Sequence, residues 1–150
     1  METIDELLAR AVAKDPARLA VVGDGARWSY GELAERVERL AAGLQALGIQ
    51  PEERVAILDK NGPHYLELYF ALPKIGAVAV PLNYRLAPAE LAYILEDSTA
   101  TTLIHGLEYA ETARALTSAK RHIPLDASYQ ALLIDAEPTP VSRQGDDVFL

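Results

Sequence analysis

The sequence predicts an α/β fold: an open, mostly parallel Rossmann-like sheet with helices on both faces, plus a short N-terminal hairpin. Three observations predict it. From residue 54 onward, short apolar runs alternate with segments of helical periodicity, which is typical of buried parallel strands joined by helices. Two segments open with a Ser or Thr followed three residues later by Glu, the capping box that begins a helix. A glycine-rich turn separates two extended runs near the amino end, which favours a hairpin.

Length and composition narrow the class of protein. A chain of 150 residues predicts one compact domain with a sizeable core. A net charge of -8, from 22 acidic and 14 basic side chains, disfavours a nucleic-acid partner. Cysteine is absent, which excludes disulfides and thiolate chemistry. The acidic first residues lack the basic start of a signal peptide, and no apolar run reaches the roughly 20 residues of a transmembrane segment. We therefore expect a cytoplasmic protein.

The first quarter of the chain predicts helix, hairpin and helix. Thr3 caps the first helix, which Asp15-Pro16 ends. Residues 19–22 and 27–28 form the hairpin around the turn at residues 23–26. Ser29 and Glu32 then open a second helix, whose apolar residues share one face until Gly48 stops it.

The remainder predicts strands separated by helices. Strands are expected at residues 55–58, 78–80, 102–104 and 132–134, and helices at residues 63–75, from residue 88 onward, and near residues 107–119. Pro73 is expected to kink or end its helix, because proline lacks a backbone donor and crowds the preceding turn. Residues 137–144 contain two prolines and predict a loop.

Two groups of residues could indicate a phosphate site or a metal site, and each has a simpler structural interpretation. Gly23-Asp24-Gly25 could cradle a phosphate, but a cradle needs a helix start after it, and here an extended run follows. His105, Glu108 and Glu111 could lie near one helical face, but a zinc site wants a second His or Cys, and none is close in sequence. We interpret them as a hairpin turn and a solvated helix face, and we predict no metal site and no catalytic residue.

Five short motifs, in order, carry a resemblance to a known family. Residues 28–33 (Trp-Ser-Tyr-Gly-Glu-Leu) resemble the opening Tyr-x-Glu-Leu motif of the adenylate-forming superfamily. The runs at residues 54–61, 74–86 and 88–95 follow in that superfamily's order and spacing, and residues 146–150 resemble the strand leading into its phosphate loop. Ala87 departs from the pattern, because a Ser or Thr helix cap is common there. Pro73 departs too, since it interrupts a helix that is usually unbroken.

The resemblance implies a function. Residues 82–85, Leu-Asn-Tyr-Arg, resemble the CoA-ligase branch rather than the peptide-synthetase branch. The implied parent is an acyl-CoA synthetase of fatty or other carboxylic acids, which uses ATP, Mg and CoA and proceeds through an acyl-adenylate. We expect residues 1–150 to be its amino-terminal subdomain, truncated before the phosphate loop. Such a fragment would be inactive alone, would bind none of these cofactors, and would have the remainder of the parent as its partner.

The resemblance also singles out Arg85 as a possible contact of a CoA phosphate. Arg85 follows a strand that ends near Pro81, and open α/β folds place ligand crevices at the carboxyl ends of their strands. The alternative is a surface ion pair with Glu90, which would contribute little. Because residues 148–150, Val-Phe-Leu, are apolar, we also expect the fragment to homodimerise. The alternative function for the whole chain is a self-standing, non-catalytic α/β module that binds a ligand or a partner.

Overall fold

The structure is a computed structural model that describes residues 2–142. These residues form a two-stranded antiparallel hairpin and a four-stranded parallel sheet. The strands are β1 (Leu19–Gly23), β2 (Ala26–Ser29), β3 (Arg54–Leu58), β4 (Val78–Pro81), β5 (Thr102–His105) and β6 (Arg121–Pro124). The helices are α1 (Ile4–Lys14), α2 (Tyr30–Leu47), α3 (Pro63–Lys74), α4 (Pro88–Asp97), α5 (Ala110–Ala115) and α6 (Ala127–Gln130), with a 3-10 turn at Leu107–Tyr109.

The parallel sheet has the strand order β4-β3-β5-β6. The buried apolar residues of β3, β4 and β5 alternate between two separate cores, one on each face of the sheet. Ile57 and Ile104 pack on the side of α1, α2 and α3, whereas Leu58 and Leu103 pack on the side of α4 and α5. The predicted class, with its hairpin and with helices on both faces, is confirmed.

The turn and cap predictions of the amino-terminal part are confirmed as well. Asp24 and Gly25 both have positive φ, 46° and 78°, as the favoured two-residue hairpin turn requires. The Ser29 hydroxyl accepts a hydrogen bond from the Glu32 amide at 3.1 Å, and the Glu32 carboxylate accepts one from the Ser29 amide at 2.8 Å. Gly48 ends α2 with a φ of 104°.

The predicted strand at residues 132–134 is wrong. These residues form turns, and the Arg39 guanidinium of α2 donates to the carbonyls of Leu133 and Ile134. Leu132 and Leu133 pack on the α1–α3 core instead of entering the sheet. The fourth strand is β6, which sequence reasoning missed because Ile123 is the one buried residue of its four.

Two helix predictions need adjustment. The helix expected near residues 107–119 is shorter, because Leu116 leaves the helical conformation and joins the α4–α5 core. Pro73 does not kink α3 before its end; it lies in the last turn, and the helix ends at Lys74. Residues 137–142 have no regular structure, as predicted for a loop, whereas the strand expected at residues 146–150 lies outside the described residues. None of the helices within residues 2–142 is both long and apolar enough to cross a membrane.

Residues 125–142, which we call the strap, connect β6 to the far end of the sheet along α2. The Gln45 side chain and the Thr139 backbone exchange two hydrogen bonds, at 2.9 and 2.7 Å. A Cβ atom built on Gly43 would lie 1.6 Å from the Leu132 carbonyl oxygen. The strap therefore approaches α2 so closely that only glycine fits beneath it.

Candidate functional site

The candidate site is the carboxyl edge of the parallel sheet. Because all four strands run in the same direction, the segments that follow them emerge at one edge. Those segments are residues 59–61 after β3, residues 82–86 after β4 and residues 106–109 after β5. They are rich in charged and aromatic side chains, in contrast to the strands before them.

The strand order places a topological switch point at this edge. The connection after β3 leads through α3 to β4 on one side, and the connection after β4 leads through α4 to β5 on the other side. The helices that follow β3 and β5 lie on opposite faces of the sheet, and open α/β folds place a ligand crevice at such a point. Asp59 and Lys60 follow β3 here, and Gly106 and Glu108 follow β5.

Asp59 fixes the base of this crevice. Its Oδ1 accepts a hydrogen bond from the Lys60 amide at 2.8 Å, and its carbonyl accepts one from the Tyr65 hydroxyl at 3.1 Å. A Cβ atom on Gly106 would lie 2.4 Å from Asp59 Oδ1. Glycine at position 106 therefore allows the segment after β5 to approach the Asp59 carboxylate. Burial raises the pKa of the Tyr65 phenol to about 12, so this donor keeps its proton.

Lys60 and Glu108 form an ion pair across the mouth of the crevice. Lys60 Nζ lies 2.9 and 2.8 Å from the two carboxylate oxygens of Glu108, and these hydrogen bonds raise the pKa of Lys60. Both side chains are more than half exposed, so water screens the attraction. The pair can open for an anionic ligand, because Lys60 can exchange one carboxylate partner for another anion.

Arg85 lies at this same edge, beside two tyrosines. Its guanidinium carbon is 5.6 Å from the centroid of the Tyr84 ring, and the Tyr84 and Tyr109 rings are 6.0 Å apart. The Arg85 side chain is exposed, and its amide donates to Asn83 Oδ1 at 3.0 Å. The segments after β4 and β5 are thus joined through a tilted pair of tyrosine rings.

The alternative pairing of Arg85 with Glu90 is wrong. The Glu90 carboxylate accepts a hydrogen bond from the Ala87 amide at 2.8 Å and so caps α4. Within the described part of the chain, no ion pair joins Glu90 to Arg85. Ala87 offers no side-chain cap, as the sequence indicated, and Glu90 supplies one from inside the helix.

His64 reaches this edge from the start of α3. Its Nε2 lies 3.4 Å from Asp59 Oδ2, and Asp24 in the hairpin turn is close enough to act on its charge. Burial lowers the pKa of His64, although both carboxylates act in the opposite direction. The hairpin turn expected to be merely structural therefore contributes a carboxylate to the margin of the site.

The histidines are closer together than the sequence indicated. The His105 and His122 rings lie 6.4 Å apart, edge to face, because β5 and β6 are neighbours. Both rings are engaged with backbone carbonyls: His105 Nδ1 with Gly106, and His122 Nε2 with Leu116 and Ala119. Among residues 2–142, no group of three or more His, Cys, Asp or Glu side chains is arranged to hold a metal ion.

Sequence reasoning placed Arg85 after a strand end, where the structure has it, but did not single out Asp59, Lys60 and Tyr109. A signal for them was present, because each lies within five residues after a predicted strand, where a parallel sheet gathers its ligand-binding side chains. What the sequence could not supply was the strand order. Only the order shows that the segments after β3 and β5 are adjacent and that Lys60 meets Glu108.

Known proteins resemble this chain in sequence and in fold. A sequence profile of the family described as AMP-binding enzyme matches residues 8–148. A feruloyl-CoA synthase of Amycolatopsis sp. is 44% identical over 145 residues, which are 94% of this chain and 28% of that enzyme. The crystal structure of the N-terminal domain of FACL13 from Mycobacterium tuberculosis superposes with a TM-score of 0.88 at 32% identity, over 98% of this chain and 40% of that one.

A second solved structure has a similar fold. The benzoate CoA ligase of Burkholderia xenovorans superposes with a TM-score of 0.87 at 27% identity, over 98% of this chain and 32% of that one. This chain therefore spans less than half the length of each of these three relatives.

Proposed function

The chain belongs to the AMP-binding enzyme family, and we propose that it is the amino-terminal part of an ATP-dependent acyl-CoA ligase. The observation that carries the proposal is the extent of the match: a CoA-ligating relative aligns with nearly the whole chain, yet this chain accounts for little more than a quarter of that relative. The proposed unit is residues 1–150 as a subdomain, with the remainder of the parent as its partner.

The proposed reaction has two steps. A carboxylate oxygen of the acid attacks the α-phosphorus of ATP, which forms an acyl-adenylate and releases pyrophosphate. The CoA sulfur then attacks the acyl carbon, and the carbon–oxygen bond to AMP breaks, which gives acyl-CoA and AMP. ATP with Mg supplies the activation, and CoA supplies the thiol. The acid is a small-molecule carboxylic acid, and we expect the remainder of the parent to determine which acid is used.

The glycine-rich segment near the amino end does not fit a binding site for the triphosphate of ATP. A phosphate loop joins a strand to a helix start, so that backbone amides face the anion. The glycine-rich segment at Gly23-Asp24-Gly25 instead joins the two strands of a hairpin. We therefore propose that the 150-residue chain alone is inactive and binds no ATP. Titration calorimetry with Mg-ATP should give no heat of binding; a dissociation constant in the micromolar range would favour the self-standing ligand-binding module.

Arg85 is our proposed contact with a phosphate of CoA. A planar guanidinium can donate to two phosphate oxygens and stays charged at any working pH. Three observations support this role: Arg85 is exposed, it lies at the carboxyl edge, and it has no ion-pair partner among the described residues. The adjacent tyrosines present flat apolar surface, which suits a nucleotide base.

The experiment separates the two half-reactions in the whole protein that carries this chain. Arg85→Ala should weaken CoA binding by about 1.5–3 kcal/mol, roughly ten- to a hundredfold in affinity. Acyl-adenylate formation precedes CoA entry, so pyrophosphate exchange should be nearly unchanged. Arg54→Ala is the matched control, because Arg54 is also exposed but begins β3 at the opposite edge of the sheet. An unchanged dependence on CoA would remove Arg85 from the site, whereas loss of both half-reactions would show a structural role.

A further inference from the structure

One cluster of charged side chains lies away from the carboxyl edge and within the α1–α3 core. Glu67 of α3 is 1% exposed, and both its carboxylate oxygens lie 3.2 Å from one guanidinium nitrogen of Arg36 on α2. The same nitrogen donates to Gln130 Oε1 at 3.4 Å, and the guanidinium lies 4.3 Å from the centroid of the Trp28 ring. Four elements therefore meet at one ion pair.

The cluster is poorly satisfied for a buried ion pair. Tyr129 is 2% exposed, and its hydroxyl has no hydrogen-bond partner within residues 2–142. Arg36 Nε and Glu67 Oε2 likewise lack a hydrogen bond among these residues. Burial raises the pKa of Glu67 even though Arg36 opposes that rise, so desolvation outweighs the attraction. Replacing such a pair with apolar side chains is often neutral or stabilising.

The surroundings show what the pair adds instead. Leu132 and Leu133 of the strap pack on the α1–α3 core, and apolar contact is non-directional. Leucine side chains alone would therefore tolerate a strap shifted along α2. The Arg36 guanidinium reaches both Glu67 and Gln130 and disfavours such a shift, because hydrogen bonds weaken with distance and angle. Arg36 also lies on the same stripe of α2 as Arg39 and Gly43, two other residues that meet the strap.

We propose that Arg36, Glu67, Tyr129 and Gln130 form a polar latch that helps to fix where the strap lies on α2 and α3. Glu67 and Tyr129 are its buried members, Arg36 is partly buried, and Gln130 is exposed. The latch specifies the position of the strap and contributes little to the stability of the whole domain. It determines how the chain leaves β6 and reaches the far end of the sheet, where Val141 packs within reach of Gly76.

The test removes both charges at once, so that the position of the strap and the stability of the domain can be measured separately. Arg36→Met/Glu67→Leu fills the site with apolar side chains and leaves no charge unpaired. We expect its urea midpoint to match or exceed that of the unsubstituted chain. Hydrogen exchange at the Leu132, Leu133 and Ile134 amides, which are hydrogen-bonded within the strap, should accelerate at least about tenfold, while exchange in β3 and β5 should not change.

Two further variants complete the design. Glu2→Leu/Arg10→Met removes an exposed ion pair between α1 and the residues before it and should leave strap exchange unchanged. Glu67→Gln keeps the shape and removes the charge, so it should fold and should accelerate strap exchange by a smaller factor. The proposal fails if strap exchange in both Glu67 variants equals that of the unsubstituted chain. It also fails if the double variant unfolds or loses stability uniformly, because the pair would then be a stabilising element.

Discussion

Gly43→Ala tests how closely the strap lies on α2. Gly43 is in the interior of a helix, where alanine is normally preferred by about 1 kcal/mol. Here the added Cβ would lie 1.6 Å from the Leu132 carbonyl oxygen and 2.5 Å from its carbon. Such contacts essentially never fall below 3.0 Å, so the strap must withdraw by about 1.4 Å or more. Both partners of this clash are backbone, and neither can rotate away.

The cost follows from the hydrogen bonds that the strap makes with α2. Withdrawal stretches the two bonds from Arg39 to the carbonyls of Leu133 and Ile134, and the two exchanged between Gln45 and Thr139. At about 1 kcal/mol each, their loss costs about 4 kcal/mol. The gain in helix propensity offsets about 1 kcal/mol of this. We expect Gly43→Ala to lower the free energy of unfolding by about 3 kcal/mol.

Urea unfolding of the chain, followed by circular dichroism, measures this difference. Glu35 provides the control, because it is exposed in the interior of the same helix. The variant Glu35→Ala should be more stable than Glu35→Gly by about 1 kcal/mol. This result would show that α2 has the ordinary preference for alanine over glycine, whereas we expect the opposite preference at position 43. If Gly43→Ala is as stable as the unsubstituted chain or more so, the strap does not lie on α2 as described.

Three further predictions concern the carboxyl edge and association. Burial lowers the pKa of His64 below its ordinary value of 6.5, so the native state binds fewer protons than the unfolded state just below that pH. Stability should then fall as the pH drops through 6.5 toward the folded pKa, and His64→Gln should lack this component in urea melts at several pH values. The Tyr65 phenol should ionise at about pH 12 in ultraviolet titration of the folded chain, with Tyr65→Phe losing that transition; ionisation near 10 would show that the phenol is not buried. The homodimer expected from residues 148–150 stays a prediction, which sedimentation at high concentration decides, since a strict monomer would contradict it.

The fold was largely predictable because its signals are local. The capping box at Ser29 and the glycine stop at Gly48 each depend on residues within one turn. Apolar runs at residues 55–58, 78–80 and 103–104 mark β3, β4 and β5, and most of these side chains are buried. The strand predicted at residues 132–134 was wrong for the converse reason. An apolar run indicates that a segment is buried, but it does not indicate whether the segment pairs with a strand or covers a helix.

The candidate site was predictable only in outline, and the reason is physical. Position relative to a strand end is a local property, so Arg85 could be assigned to the carboxyl edge from the sequence. Partnership is not local: Lys60 meets Glu108 across 48 residues, and Arg36 meets Gln130 across 94. These pairs exist because the order β4-β3-β5-β6 and the path of the strap bring distant segments together. Sequence spacing carries no trace of that order.

The candidate site and the latch lie in different parts of the fold, and their locations explain why they can have separate roles. The candidate site is built on residues that directly follow the strands, and its charges are exposed enough for a ligand to compete for them. Glu67 of the latch is buried beside the α1–α3 core, where it is shielded from water and can pair only with groups of the fold. An exposed ion pair can exchange partners at little cost, whereas a buried one cannot lose its partner without leaving a charge unpaired. The same residue types therefore support binding at the edge and fixed position in the core.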